Sequence, residues 1–358
     1  MTLCAAWIRH GPGDEGEELV FATDSRLRGG EAWDQGLKLF DLGRTDCLLC
    51  FAGETRRAYP LILQALNSIR SNIEWTNPQI DLYDILDSLC TLFTDICREI
   101  NDLPRGENIH AVRSEADFLF GGWSWRKQHF GIWRIFYSEE LQSFDHDAVH
   151  NKGMVHIFSF LSRDEYNGAN ITSEAEHLLD EELFNARRMH GALDMEPLRV
   201  LVRMSRDDAA YPTIGGALQI AKVYRSGQNE FFGMVWPSSV EGKPHFMGRK
   251  INLFDAPPMR FIDPDTAKFV ENLPSDFIDM DSFDFGSETR FIQDAYPNQK
   301  LKDGLPESQR IRVGRIFHDI AYHIFVKDRE SANNNQNPQA AQPEDGKQAK
   351  PEEEQDHA

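Results

Sequence analysis

No apolar run in this chain approaches the length that spans a bilayer, and the mean hydropathy is −0.51. The opening residues, MTLCAAWIRHGPGDEGEE, hold neither a basic region nor the long apolar stretch of a signal peptide. Basic residues are scarce: Lys and Arg number 38 against 58 Asp and Glu, for a formal net charge of −20. That balance argues against a phosphate-neutralising face for nucleic acid and against docking on an anionic membrane. Cysteines are few and odd in number (Cys4, Cys47, Cys50, Cys90 and Cys97), which suits a reducing compartment rather than a disulfide framework. A cytoplasmic protein with neither nucleic-acid nor membrane partners is the expectation.

What is present suffices for a large core. The chain has 358 residues, 41% hydrophobic and 11% aromatic, enough for one large or two modest domains. Residues 331–358 lack large apolar side chains and are rich in Asn, Gln, Pro and Glu, so they read as a disordered acidic tail. Between Thr2 and Trp236 the elements come in groups. Short apolar runs at Thr2–Arg9, Leu19–Asp24, Leu37–Leu42 and Cys47–Ala52 read as strands, the first two as a hairpin around HGPGDEGEE. Helical spacing follows over Thr55–Ile73 and Gln79–Ile100. Strands return at Asp117–Trp125, Gly131–Tyr137 and Met154–Phe160. Helices follow at Ser173–Met189, with Ser173 and Glu176 spaced as a capping box, and at Glu196–Met204. Ala217–Tyr224 and Glu230–Trp236 form a last hairpin. Grouped strands predict stacked antiparallel sheets with helical layers, an α+β fold. Residues 237–330 read as an extension with little periodicity, ending in one amphipathic helix over Leu305–Phe325.

Several motifs carry less than they first suggest. Cys47 and Cys50 have the spacing of half a zinc site, but an offset of three on a strand points them to opposite faces, and no second pair follows. They read as core thiols. Asp145-His146-Asp147 with His150 reads as a solvated acidic loop rather than a metal site. Gly215-Gly216 lacks the lysine and spacing of a phosphate loop. Trp123, Trp125, Phe130, Trp133 and Phe136 read as sheet core rather than a base-stacking platform.

Thr2 is the residue with chemistry to offer. A small residue at position two permits removal of Met1, leaving a hydroxyl and an α-amine on one residue. An α-amine titrates near 7.7–8.0, so it can serve as base while the hydroxyl attacks a carbonyl. Asp24 ends a strand in FATDSR and Lys38 begins another in GLKLF. A buried Lys38 stays charged only if paired, and Asp24 is a candidate partner. Its cation would depress the pKa of both the amine and the hydroxyl. Gly53, in CFAGET, follows a strand and precedes a helix, where an unobstructed backbone N–H can meet an oxyanion.

This pattern resembles the proteasome β-subunit and HslV family of N-terminal nucleophile (Ntn) hydrolases. Thr2 in TLCAAW matches the family's first mature residue, and Asp24 in TDSR its aspartate turn. Lys38 in LKLF matches its lysine, Gly53 in FAGETRRA its glycine turn, and FLFGGW its central strand. Ser205–Gln219 resembles its RDxxSGG segment, with Asp207 and Asp208 competing for the one acid. Ser159 stands where the family has a Gly-Ser-Gly turn, without the glycines, and the first hairpin loop is longer. The resemblance implies a four-layer αββα sandwich over residues 2–236, followed by the 237–330 extension. It implies a threonine peptidase that needs no metal or organic cofactor and acts on peptide or protein substrates. It also implies assembly into a homo-oligomer, with an unfoldase or other partner protein left open. A scaffold subunit without catalysis, and an amidase acting on a small-molecule amide, are the alternatives.

Overall fold

The computed structural model describes residues 2–10, 16–28, 31–77, 80–101, 103, 115–150, 156–163, 165–166, 169–189, 192–251, 259–270, 285–295, 301–314 and 316. Met1, the first hairpin loop at 11–15, the start of the Met154–Phe160 strand and the acidic tail lie outside them. The chain divides into Met1–Ile278 and Asp279–Ala358.

The first unit opens with strands Cys4–His10 (β1) and Glu17–Thr23 (β2), then the short pair Leu27–Arg28 (β3) and Ala32–Trp33 (β4), then Leu39–Phe40 (β5) and Cys47–Gly53 (β6). Helices Thr55–Ser71 (α1), Ile73–Thr76 (α2) and Leu82–Arg98 (α3) precede Ala116–Ser124 (β7), His129–Ser138 (β8), Ser143–Ala148 (β9) and Phe158–Leu161 (β10). Glu165–Tyr166 (β11) and Ala169–Asn170 (β12) lead into helices Ile171–Asn185 (α4) and Glu196–Arg206 (α5). Gln219–Tyr224 (β13), Asn229–Trp236 (β14), Lys243–Phe246 (β15), Arg249–Lys250 (β16) and Phe261–Ile262 (β17) complete it.

Two sheets result. One runs β10-β1-β2-β13-β14-β15-β16, with β17 alongside β14; the other runs β5-β6-β7-β8-β9. All pairings are antiparallel except β14 with β17. Period-two alternation assigns the faces. Ala5, Trp7, Val20 and Ala22 pack with Leu178, Leu179 and Leu201 of α4 and α5. Their neighbours Cys4, Ala6, Leu19 and Phe21 share a second apolar layer with Leu48, Cys50, Ala52 and Leu119 of the other sheet. Cys47, Leu49, Phe51, Phe118 and Phe120 face α1 and α3. Sheets apolar on both faces explain why these strands read as unbroken hydrophobic runs. Cys47 and Cys50 do lie on opposite faces of β6. Burial pushes both thiols well above the usual cysteine range.

Four readings need correction. Asp145, His146 and Asp147 lie on the strand β9, where Phe144 is buried and its N–H donates to Thr94 Oγ1 at 2.8 Å. The acidic residues of this strand masked its single buried anchor. The α4 cap is Asn170, which accepts from Thr172 and Ser173 N–H, so the chain turns three residues before Ser173. The hairpin β13–β14 is followed by β15, β16 and β17, segments too short to show a period. Trp125 is exposed, whereas Trp123, Phe130 and Trp133 are buried. In the second unit Phe285–Ala295 (α6) is helical. Of the expected Leu305–Phe325 helix, residues 307–314 and 316 are helical and those from 317 on lie outside the described residues.

Helix α3 is fastened to its sheet by one carboxylate. Asp81 caps it, accepting from Tyr83 N–H at 3.2 Å, and its own N–H donates to Asp84. The same carboxylate accepts from Ser124 Oγ at 2.9 Å and from Arg126 N–H at 3.1 Å. Asp81→Ala removes a cap and strands the buried Ser124 hydroxyl and the Arg126 N–H just beyond β7, so stability falls by about 2–4 kcal/mol. Urea unfolding checks this; an unmoved midpoint contradicts it.

Candidate active site

Asp24 is fully buried directly after β2. A carboxylate there needs donors for its lone pairs. Three separate segments supply backbone N–H groups: Leu3 at 3.0 Å, Arg26 at 3.1 Å and Gly215 at 3.2 Å. The fourth partner is Lys38, whose Nζ lies 2.9 Å from Oδ1 and 3.0 Å from Oδ2. Lys38 is itself fully buried. Thr2, also buried, is the residue before the Leu3 amide, and Asp24 N–H donates back to Leu3 O at 3.4 Å. The start of the chain is thus stitched to the ion pair from both sides of Asp24.

Lys38 is positioned by a residue that sequence reasoning missed. Gln219, fully buried at the start of β13, accepts through Oε1 from Lys38 N–H at 3.0 Å and Leu39 N–H at 3.1 Å. Its Nε2 donates to Gly36 O at 2.5 Å. Three hydrogen bonds of one amide thereby fix the loop that aims Lys38. The only signal in the sequence was a polar residue opening an apolar strand.

The 205–219 segment meets Asp24 through Gly215 and through Arg26. Ser25 N–H donates to Gly215 O at 3.0 Å, and Gly216 takes φ +74°, a conformation that suits glycine. Arg26 is buried and holds Asp34 at 2.7 Å and Asp208 at 2.5 Å. Hydrogen bonding to Arg26 holds the Asp34 carboxyl below the usual range. Of the two competing acids, Asp208 is therefore linked to the Asp24 turn. Asp207 instead ends α5 and accepts from Ala210 N–H at 2.9 Å.

Gly53 closes β6 at φ +119°, and a Cβ there would sit 2.2 Å from Glu115 O. Only glycine fits. The end of β6 is tied to the start of β1, because Cys4 Sγ donates to Phe51 O at 3.1 Å. Ser159 is not brought to the chain start. It pairs with Ala6, four residues beyond Thr2, about 13 Å along an extended strand. Its hydroxyl donates to its neighbour, Phe160 O, at 3.4 Å. Continuing the register past Cys4↔Leu161 sets buried Ser162 against Leu3.

Among the described residues no group of His, Cys, Asp and Glu has the arrangement of a metal site. His146 Nε2 lies 3.3 Å from Asp87 Oδ1.

No family model matches this chain, and no curated protein matches it. Among solved structures it is similar to Anbu (ancestral beta-subunit) from Yersinia bercovieri, with 15% identity and a TM-score of 0.42. The likeness covers 64% of this chain and 87% of that one. The Anbu (Gly-1) mutant from Hyphomicrobium sp. strain MC1 is similar at 15% identity and TM-score 0.41, with the same coverages. These findings correct the resemblance to proteasome β-subunits and HslV. Both of these structures are Anbu proteins at low identity, and no family model supports the assignment.

Lys38→Met leaves Asp24 buried without its cation and costs about 3–5 kcal/mol. Gln219→Ala strands two buried N–H groups and costs about 1–3 kcal/mol. Denaturant unfolding measures both; a Lys38→Met midpoint equal to that of the unaltered chain contradicts the buried pair.

Proposed function

We propose that the chain is an amide-bond hydrolase whose nucleophile is Thr2, made N-terminal by removal of Met1. The observation that carries this reading is the buried Lys38–Asp24 pair, hydrogen-bonded to the Leu3 amide beside Thr2. It does not rest on family membership. In the full chain the Thr2 nitrogen is an amide; cleavage after Met1 turns it into an amine. That amine takes the hydroxyl proton as Oγ attacks the substrate carbonyl, and passes it to the departing amine. Water then attacks the resulting ester with the same amine as base, releasing the acid and restoring Thr2. Lys38 supplies a fixed positive charge that stabilises the developing alkoxide and disfavours protonation of the amine. Asp24 is the counter-charge that fixes the position of Lys38 Nζ. Gly53 N–H stabilises the oxyanion. Of the two competing acids, Asp208, joined to Arg26, supports the site, and Ser162 takes the supporting position for which Ser159 was the candidate.

The packing on both faces of two facing sheets supports a four-layer αββα sandwich for residues 2–236, with 237–330 as an extension. Peptide-bond cleavage is the reaction we favour. An apolar cavity of about 270 Å³, lined by Trp33, Leu37, Phe40, Tyr59, Ile62 and Leu63, adjoins the loop carrying Lys38 and suits an apolar substrate side chain. Five cysteines without a disulfide suit a reducing compartment such as the cytoplasm. No helix among the described residues is long and apolar enough to cross a membrane.

Intact-mass measurement and hydrolysis of a peptide and small-amide panel test the reading. The expected result is a mature chain beginning at Thr2, with Thr2→Ala lowering hydrolysis about 10³-fold or more. A retained Met1, or equal hydrolysis by Thr2→Ala, contradicts it. A Met1-free chain that cleaves neither peptides nor small amides contradicts it too, and leaves the scaffold role.

A further inference from the structure

A second charged site lies at the other end of β1. Arg9 is seven residues beyond Thr2, about 23 Å along an extended strand, so this site is distinct from the one around Asp24. There a cavity of about 620 Å³ opens between the larger sheet, α5 and the β17 segment. That volume is the size of a small-molecule pocket.

The cavity is basic inside an acidic protein. Arg9, Arg199, Lys222, Arg260 and Lys268 line it, against the three carboxylates Glu18, Asp194 and Glu230. The carboxylates are already committed. Glu18 Oε2 is shared by Arg9 at 2.9 Å and Lys222 at 2.8 Å, Asp194 accepts from Arg9 at 2.7 Å, and Glu230 accepts from Arg260 at 2.8 Å. Lys222 is 3% exposed, so its ammonium cannot turn to bulk water. Burial, with Arg9 and Arg260 adding to it, lowers its pKa despite the bond to Glu18. Arg199 and Lys268 make no ion pair among the described residues. Arg260 and Lys222 flank one aromatic wall, at 4.3 and 5.2 Å from the Phe269 ring centre. Two cations with no ion pair among the described residues, a buried lysine and an arginine stacked on an aromatic face form a receptor for anionic oxygen.

We propose that this cavity binds a small-molecule dianion, carried as a phosphate monoester or as a pair of carboxylates, with Arg199 and Lys268 as the groups that neutralise it. Any apolar part of the ligand lies against Phe269. The assignment stands whether or not the chain hydrolyses amides.

Isothermal titration calorimetry of the full chain with phenyl phosphate and with phthalate, at low ionic strength, tests it. Saturable one-site binding of at least one of them is expected, and which one binds identifies the oxyanion. Arg199→Glu/Lys268→Glu, both exposed positions, should weaken that binding tenfold or more while leaving the unfolding midpoint in place. Binding to the unaltered chain should also weaken as sodium chloride rises, which tests the charge mechanism even if the double variant does not fold. Failure of both ligands to saturate, unchanged affinity in a folded double variant, or salt-independent binding overturns the proposal.

Discussion

An ammonium group buried without any contact with solvent must have a counter-charge, and in this protein Asp24 supplies it to Lys38. Much of the site's geometry follows. The Asp24 carboxylate is a junction for the chain start, its own turn and the Gly215 loop, so none of the three can move without exposing a lone pair. Gln219 does the same for the other partner, fixing residues 36–39 from the first position of β13. Two buried polar side chains, Asp24 and Gln219, thus convert a sheet architecture into a fixed electrostatic site beside Thr2. Such networks stay rigid because each member is satisfied.

The layers around the site serve that arrangement. The apolar layer between the sheets takes in Leu39, the neighbour of the fully buried Lys38, and the helices seal the outer faces. Low local polarity strengthens the attraction between Lys38 and Asp24, and raises the cost of losing either. The distal cavity follows the opposite logic. Its charges are only partly compensated, and the surplus is positive although the whole chain is strongly negative. Local field and net charge are separate quantities here, and a ligand responds to the local one.

The framework was largely legible in the sequence, because its strands are apolar runs bounded by turn residues and its helices have strong periods. Alternation placed Cys47 and Cys50 on opposite faces, and the broad apolar face of α3 announced its packing. The nearness of Asp24 and Lys38 was legible as a need, since a strand-end lysine among apolar residues requires a partner. What escaped was set by tertiary contact. The amide of Gln219 has no local signature, and choosing Asp208 over Asp207 depends on where Arg26 points. Ser159 and Ser162 lie in one short run, and only the pairing of β10 with β1 decides between them. The β15–β17 strands are too short to alternate visibly, and β9 hides one buried Phe144 among acids.

The central claim is that Thr2, beside the buried Lys38–Asp24 pair, offers a hydroxyl and an amine acting together. Peptide mapping by mass spectrometry after treatment with a peptide α′,β′-epoxyketone, an electrophile that engages both groups of one residue, tests it most directly. The account predicts a single adduct on Thr2 that is lost or much slowed in Lys38→Met. A chain that reacts elsewhere, or a Lys38→Met chain labelled on Thr2 as fast as the unaltered one, would contradict it.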